Sequence, residues 1–279
     1  MTLLIPTIAG TRAALGADRE AGRTVGFVPT MGYLHEGHAS LIRRARAECD
    51  AVLVSIFVNP LQFGANEDLA AYPRDLEADL ALCKREGVDV VFHPDVEEMY
   101  GGRARFCIDV GEIGDRLCGA SRPGHFNGVA TVVAKLWNIA GPCRSYFGEK
   151  DLQQLVVLRR LAASFDVPVE VIGCRIVREP DGLAMSSRNV YLSAEERTAA
   201  LVLKRALDQA AASGERAGAR LAAMMRETIS SEPLARLDYA VCVDTETLED
   251  AGHVTDRAAL AVAAWFGKAR LIDNMTVTA

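Results

Sequence analysis

TVGFVPT (24–30), MGYLHEGHASLIRRARAE (31–48) and AVLVSIFVN (51–59) follow one another with only Cys49 and Asp50 intervening, and this succession decides the fold. The first run is short, apolar and β-branched and ends at Pro29 and Thr30, so it predicts a strand entering a loop. Leu41, Ile42 and Ala45 recur at helical spacing, which predicts a helix over 37–48. The third run is almost wholly apolar, as a strand must be when helices cover both faces of its sheet. Strand, helix, strand in this order is a βαβ unit with parallel strands and a right-handed crossover.

The same rhythm extends outward. A helix is expected over 73–86, ended by Gly87, and a strand in VDVVFHP (88–94). Further on, GVATVVAKLWNIA (128–140) reads as a helix, RSYFG (144–148) as a strand, LQQLVVLRRLAASF (152–165) as a helix and VPVEVIGC (167–174) as a strand. The fold class is therefore α/β, with a helix-covered parallel sheet over 1–176. Past 176 the pattern changes to Ala-rich helices over 193–213 and 215–230, then strands near 237–243 and 259–266. This predicts a smaller α+β domain over 177–279. Residues 60–72, with Pro60 and Gly64, form a long connection and a candidate mobile active-site loop.

Composition narrows the function classes. Half of the 279 residues are hydrophobic and 24% are charged, the balance of a soluble globular chain. A net charge of -6 leaves no broad basic face, so no nucleic-acid partner is expected. Pro6 interrupts the short N-terminal apolar stretch, no basic residue precedes it, and no run is long enough to span a bilayer. A cytoplasmic protein without a membrane partner is expected. The seven cysteines contain no C-x-x-C pair and are read as small, mostly buried hydrophobes in a reducing compartment.

Five polar motifs fall at the ends of strands or in adjacent loops. In PTMGYLHEGH (29–38), His35 and His38 share one side of a first helical turn, where N–H groups and partial positive charge suit phosphate. A zinc protease would need H-E-x-x-H, so zinc is set aside. The bland alternative is a pair of surface histidines capping a helix. Next, Pro180–Gly182 mark a turn before MSSRN (185–189), whose Ser186, Ser187 and Arg188 can donate to a polyphosphate or can merely cap and solvate a loop. FGEKDLQQ (147–154) places Lys150 beside a candidate N-cap, Asp151, with Gln154 one turn on. SIFVNPLQFG (55–64) offers Asn59 and Gln62, and RPGHFNG (122–128) offers Arg122 and His125, both without an assigned role. Each motif alone is ordinary loop chemistry; all five at one edge of the sheet are not.

H-E-G-H after the first strand and M-S-S-R-N near the end of the sheet domain resemble the nucleotidylyl-transferring Rossmann-like proteins. That superfamily includes class I aminoacyl-tRNA synthetases, with H-I-G-H and K-M-S-K-S. The fuller strings, including F-V-N-P-L-Q-F-G, R-P-G-H-F-N-G, F-G-E-K-D-L-Q-Q and D-G-L-A-M-S-S-R-N, resemble one family: the pantoate–β-alanine ligases. Ala184 and Ser187 stand where K-M-S-K-S has lysines, which argues against a synthetase. A nucleotide-sensing module on the same sheet is the other rival, and it would not need so many cations and amides.

The resemblance implies a Rossmann-like domain over 1–176 that binds ATP and pantoate, and a C-terminal lid over 177–279. It implies ATP-dependent condensation of pantoate with β-alanine through pantoyl adenylate, with Mg²⁺ on the phosphates and a homodimeric assembly. His35 and His38 would contact phosphates, Lys150 the α-phosphate, and Ser186, Ser187 and Arg188 the β- and γ-phosphates. Met31, Gly148 and Asp151 complete the implied ATP site. Gln62, Gln154 and Asn59 would hold pantoate. Asp79 is the candidate metal ligand.

Overall fold

Six strands form one parallel sheet in the computed structural model of the chain, which describes residues 2–64, 69, 70, 72–101 and 106–279. Its elements are β1 (Leu3–Ile5), α1 (Ile8–Glu20), β2 (Val25–Thr30), α2 (Glu36–Glu48), β3 (Ala51–Ile56), α3 (Leu76–Arg85), β4 (Val90–Phe92) and α4 (Val96–Tyr100). They continue with α5 (Cys118–Ser121), α6 (His125–Ala140), β5 (Cys143–Gly148), α7 (Leu152–Ser164) and β6 (Val169–Cys174). Strand order is β1-β4-β3-β2-β5-β6, so the chain steps outward from β2 in one direction and from β5 in the other. Loops leaving β2 and β5 diverge at this switch point, and a crevice opens at the carboxyl ends. β2 pairs with β5 at Gly26–Arg144 and Phe27–Ser145, short of both carboxyl ends.

Both faces of the sheet are buried, as the apolar runs require. Phe27 packs with Leu53, Trp137 and Leu158 on one side, and Val28 packs with Ile42, Val54 and Tyr146 on the other. Each such large side chain contributes roughly 1.5–3 kcal/mol on leaving water. Trp137 keeps its polar atom satisfied by donating Nε1–H to buried Ser145 Oγ at 3.0 Å.

The remaining elements are α8 (Ala194–Ala200), α9 (Val202–Ala212), α10 (Gly218–Ser230), β7 (Ala235–Asp244), β8 (Arg257–Phe266) and β9 (Ala269–Thr278). The three strands make an antiparallel sheet in the order β7-β8-β9, and Leu203, Leu207, Met225 and Ile229 pack against it. A further apolar cluster joins the two sheets: Ile113, Phe126, Val156 and Val157 meet Val243, Leu248 and Ala259.

The expected elements are present, with shifted ends. The single helix expected over 193–213 is two, α8 and α9, separated at Leu201. β1, α1, α4, α5 and β9 have no counterpart in the sequence reading. β9 was hidden because Asp273 and Asn274 interrupt its apolar pattern, although both are buried. Of the connection over 60–72, residues 65–68 and 71 lie outside the described residues, while Pro60–Gln62 forms a short 3-10 turn. Among the described residues no helix is long and apolar enough to cross a membrane. Cys49, Cys83, Cys118, Cys174 and Cys242 are buried, Cys143 is half-buried and Cys107 is exposed, in line with a mostly buried set.

Candidate active site at the sheet switch point

The chain leaves β2 through a tight bend. Gly32 has φ +84, and a Cβ there would stand 2.9 Å from Asp79 Oδ2, so only glycine fits. Tyr33 is also left-handed, at φ 53, an unusual state for a bulky residue. Asp79, buried on α3, holds the bend by accepting the Tyr33 N–H at 2.9 Å and the Leu34 N–H at 2.6 Å. Burial raises its carboxyl above the usual range, and the two amide bonds oppose that shift. Each oxygen accepts one amide N–H, and Asp79 is not among the residues lining the cleft, so the contacts give it a loop-shaping role.

α2 starts at His35, whose Nδ1 accepts the Gly37 N–H at 3.1 Å. His38 Nδ1 in turn accepts the His35 N–H at 3.2 Å, which completes a reciprocal capping box. The capping and phosphate-binding alternatives are therefore compatible. With each Nδ1 used as an acceptor, the neutral ring carries its proton on Nε2 and keeps that donor for a ligand. Burial, then Lys150, lowers the His35 pKa from 6.5 to about 4; burial, then His35 and Lys150, lowers that of His38 to about 3. Both rings are neutral at pH 7.

Acid stability should reflect these shifts. A histidine near 6.5 when unfolded and near 3–4 when folded binds its proton preferentially in the unfolded chain. Its stabilising contribution is complete above about pH 6.5 and is lost as pH falls toward 4. Between about pH 6 and 4.5 the pair adds about two protons to unfolding, or about 2–3 kcal/mol per pH unit. Urea unfolding across this range checks the value, and His38→Gln is expected to remove about one of the two protons.

Lys150 faces this pair from the carboxyl end of β5. It lies in a 3-10 turn, Glu149–Asp151, is mostly buried, and has its Nζ 3.6 Å from Asp151 Oδ1. The Asp151 side chain makes no cap hydrogen bond to α7, contrary to the cap expectation; half-exposed, it stands beside the ammonium instead.

Below them lies an amide cluster. Asn59 Nδ2 donates to Gln62 Oε1 and to Gly128 O, both at 3.1 Å, and Tyr100 Oη–H donates to Asn59 Oδ1 at 2.7 Å. A Cβ on Gly128 would stand 2.1 Å from Leu61 O, so glycine is required for α6 to approach this turn. His125 Nδ1–H donates to Gln62 O at 2.8 Å, while Arg122 Nη1 meets His125 Nε2 at 2.8 Å and Nη2 donates to Gln62 O at 3.3 Å. Arg122 and His125, which had no role from sequence, hold the main chain that presents Gln62.

The Ser186–Arg188 loop forms the outer wall. Ser186 Oγ accepts the Arg188 N–H at 3.3 Å and opens a 3-10 turn over Ser187–Tyr191. Its stem is braced by Asn189 Nδ2, which donates to Glu179 Oε1 and Ala184 O, and by Arg197, paired with Glu179 at 2.6 Å and Asp181 at 2.7 Å.

These segments enclose a cleft of about 240 Å³ at the β2–β5 switch. Met31, His35, His38, Asn59, Gln62, Gly148, Lys150, Asp151, Gln154, Ser186, Ser187 and Arg188 all line it, together with Arg122 and His125. Of the site residues expected from sequence, only Asp79 stands outside. The cleft shares Arg122, His125, Lys150, Asp151, Gln154, Ser186 and Arg188 with a cavity of about 1010 Å³, whose far wall includes Tyr239, Trp265 and Arg270 of the second sheet. Sequence reasoning missed the apolar wall of Val129, Val132, Val133 and Leu136. Their spacing was legible on α6, but an apolar helix face reads as core until its neighbour is known. Cations, neutral N–H donors and a helix N-terminus on one side, amides on the other, suit a polyanion beside a small hydroxylated acid.

A family model described as pantoate-beta-alanine ligase matches residues 3–276. A pantothenate synthetase from Heliobacterium modesticaldum is 55% identical over 98% of this chain and 99% of its own. The crystal structure of a pantothenate synthetase from Thermus thermophilus superposes with a TM-score of 0.93 at 49% identity, covering 99% of both chains. A pantoate-beta-alanine ligase from Francisella tularensis, solved complexed with beta-gamma ATP and β-alanine, gives a TM-score of 0.81 at 35% identity over 99% of this chain and 97% of that one.

Proposed function

The chain belongs to the pantoate–β-alanine ligase family, whose members form a carbon–nitrogen bond, and from that premise we propose how its own residues carry out the reaction. ATP and pantoate occupy the cleft at the β2–β5 switch. A pantoate carboxylate oxygen attacks the α-phosphorus, the bond to the β-phosphate bridging oxygen breaks, and pyrophosphate leaves with that electron pair. The amine of β-alanine then attacks the activated carbonyl carbon, loses a proton, and AMP leaves.

Such transfers need positioning and charge neutralisation more than a protein nucleophile. Lys150 neutralises charge growing at the α-phosphate. His35 and His38, neutral and donating from Nε2, hold phosphate oxygens at the start of α2. Ser186, Ser187 and Arg188 take the β- and γ-phosphates, and Met31, Gly148 and Asp151 border the nucleoside. Gln62 and Gln154 bind the pantoate carboxylate and hydroxyls, with Asn59 orienting Gln62. Asp79 acts at one remove, by shaping the Gly32–Leu34 bend.

Mg²⁺ fits this site as an ion carried by the triphosphate, since among the described residues no three His, Cys, Asp or Glu side chains form a cage. Bound there, it would supply charge neutralisation on the phosphate oxygens. The segment over 177–279 acts as a lid, and a homodimer in the cytoplasm belongs to the same proposal.

The observation that carries this reading is the convergence of five sequence-distant motifs on one cleft. The test is pyrophosphate release from ATP and Mg²⁺ with pantoate, with and without β-alanine. Release that needs pantoate, and turns over repeatedly only with β-alanine, is the expected result. Release indifferent to pantoate would remove the substrate assignment.

A further inference from the structure

We propose that Asn274 is a positioning residue for Lys150, and that the Asp273–Asn274 pair of β9 ties together the two loops that bring the site its cations. The inference rests on the roles proposed above for Lys150 and the Ser186–Arg188 loop. Asn274 Nδ2 donates to Glu149 O and to Lys150 O, each at 2.9 Å, so both hydrogens of one amide are spent on consecutive carbonyls of the Lys150 turn. Those carbonyls lie in the first half-turn before α7 and are fixed here from the other sheet, more than a hundred residues away in sequence.

Asp273 reaches the second loop. Its carboxylate takes the Arg178 guanidinium bidentately, at 2.6 and 2.9 Å, and Oδ1 also accepts the Asn274 N–H at 2.8 Å. Arg178 Nη1 donates in addition to Gly182 O at 3.1 Å and so closes the turn whose return arm, bridged at Ala184, runs into Met185–Arg188. One dipeptide thus sets the Lys150 turn against the stem of the Ser186–Arg188 loop. Asp273 and Asn274 are 4% and 7% exposed. A buried ion pair and amide in a strand are seldom more stabilising than apolar residues of the same size. Their arrangement is accounted for by placement of the two loops.

Asn274→Asp is nearly isosteric but sets an oxygen opposite two carbonyl oxygens; Asn274→Ser removes both bonds without a charge. In the full-length protein, with saturating ATP, pantoate and β-alanine, N274D is expected to lower kcat for pyrophosphate release by about ten- to a hundredfold, because small misplacements of a charge-stabilising group are costly. Its activity relative to wild type should recover between about pH 8 and about pH 6, as the new carboxyl takes up a proton and regains one donor. A purely structural defect would lower thermal stability without that recovery. In a Lys150→Ala background, N274D should change the rate no further, since it acts through Lys150. N274S should be impaired and equally non-additive, and it carries the comparison if N274D does not fold. Wild-type kcat in N274D or N274S, or losses that multiply in the double variant, would overturn the inference. Wild-type enzyme that releases no pyrophosphate with pantoate would instead remove the functional reading, and this inference with it.

Discussion

Lys150→Ala is expected to lower the turnover of pantoate-dependent pyrophosphate release by about 10²-fold or more, the usual loss when one transition-state donor is removed. The side chain is mostly buried, faces the cleft between the α2 N-terminus and the Ser186–Arg188 loop, and has its nearest carboxylate 3.6 Å away, too far for a tight pair that would disarm it. Charge that develops only in transit should affect kcat more than the KM for ATP. A second effect follows from the same charge. Lys150 helps hold His35 and His38 below their ordinary pKa, so its removal should let both rise, which a histidine titration by NMR can follow. A variant with near-normal turnover would refute the role given to Lys150.

His38→Ala is expected to cost a similar factor, about 10²-fold, in adenylate formation. Two losses are combined in it: the Nε2–H donor, and the Nδ1 acceptor that caps the His35 N–H. His38→Gln separates them, because glutamine at the third helical position can make the reciprocal cap bond and still offers an amide donor. It should retain the helix start and recover part of the activity. The cap alone is worth about 0.5–2 kcal/mol of stability, which thermal unfolding of the two variants compares. Pyrophosphate release unchanged in His38→Ala would sink the phosphate contact.

Much of this site was legible beforehand because its residues occur in short runs at strand ends. Lys150, Arg188 and the two glutamines are of the right type for phosphate and hydroxyl recognition wherever the loops lie. Roles that depend on contact were not legible. Asp79 entered only as a metal candidate beside the family resemblance; its part in holding the bend shows only in its contacts with the Tyr33 and Leu34 amides. Asp151 read as a cap, but the chain enters α7 through a 3-10 turn that carries its side chain toward Lys150. Arg122 and His125 had no role until their partner, the Gln62 carbonyl, was seen.

The sequence by itself determined the alternation of strands and helices, the parallel sheet with a smaller α+β segment after it, and the motif at each strand end. These follow from periodicity, turn residues and side-chain chemistry, which act over a few residues. Tertiary structure alone decided the strand order that puts β2 beside β5, the proton position on His35 and His38, and the reach of β9 to the Lys150 turn. β9 illustrates the division most directly. Asp273 and Asn274 broke the apolar pattern by which a strand is recognised, because their partners, Arg178 and the Glu149–Lys150 carbonyls, come from distant chain. A buried polar residue is explained by what it meets, and what it meets is set by packing.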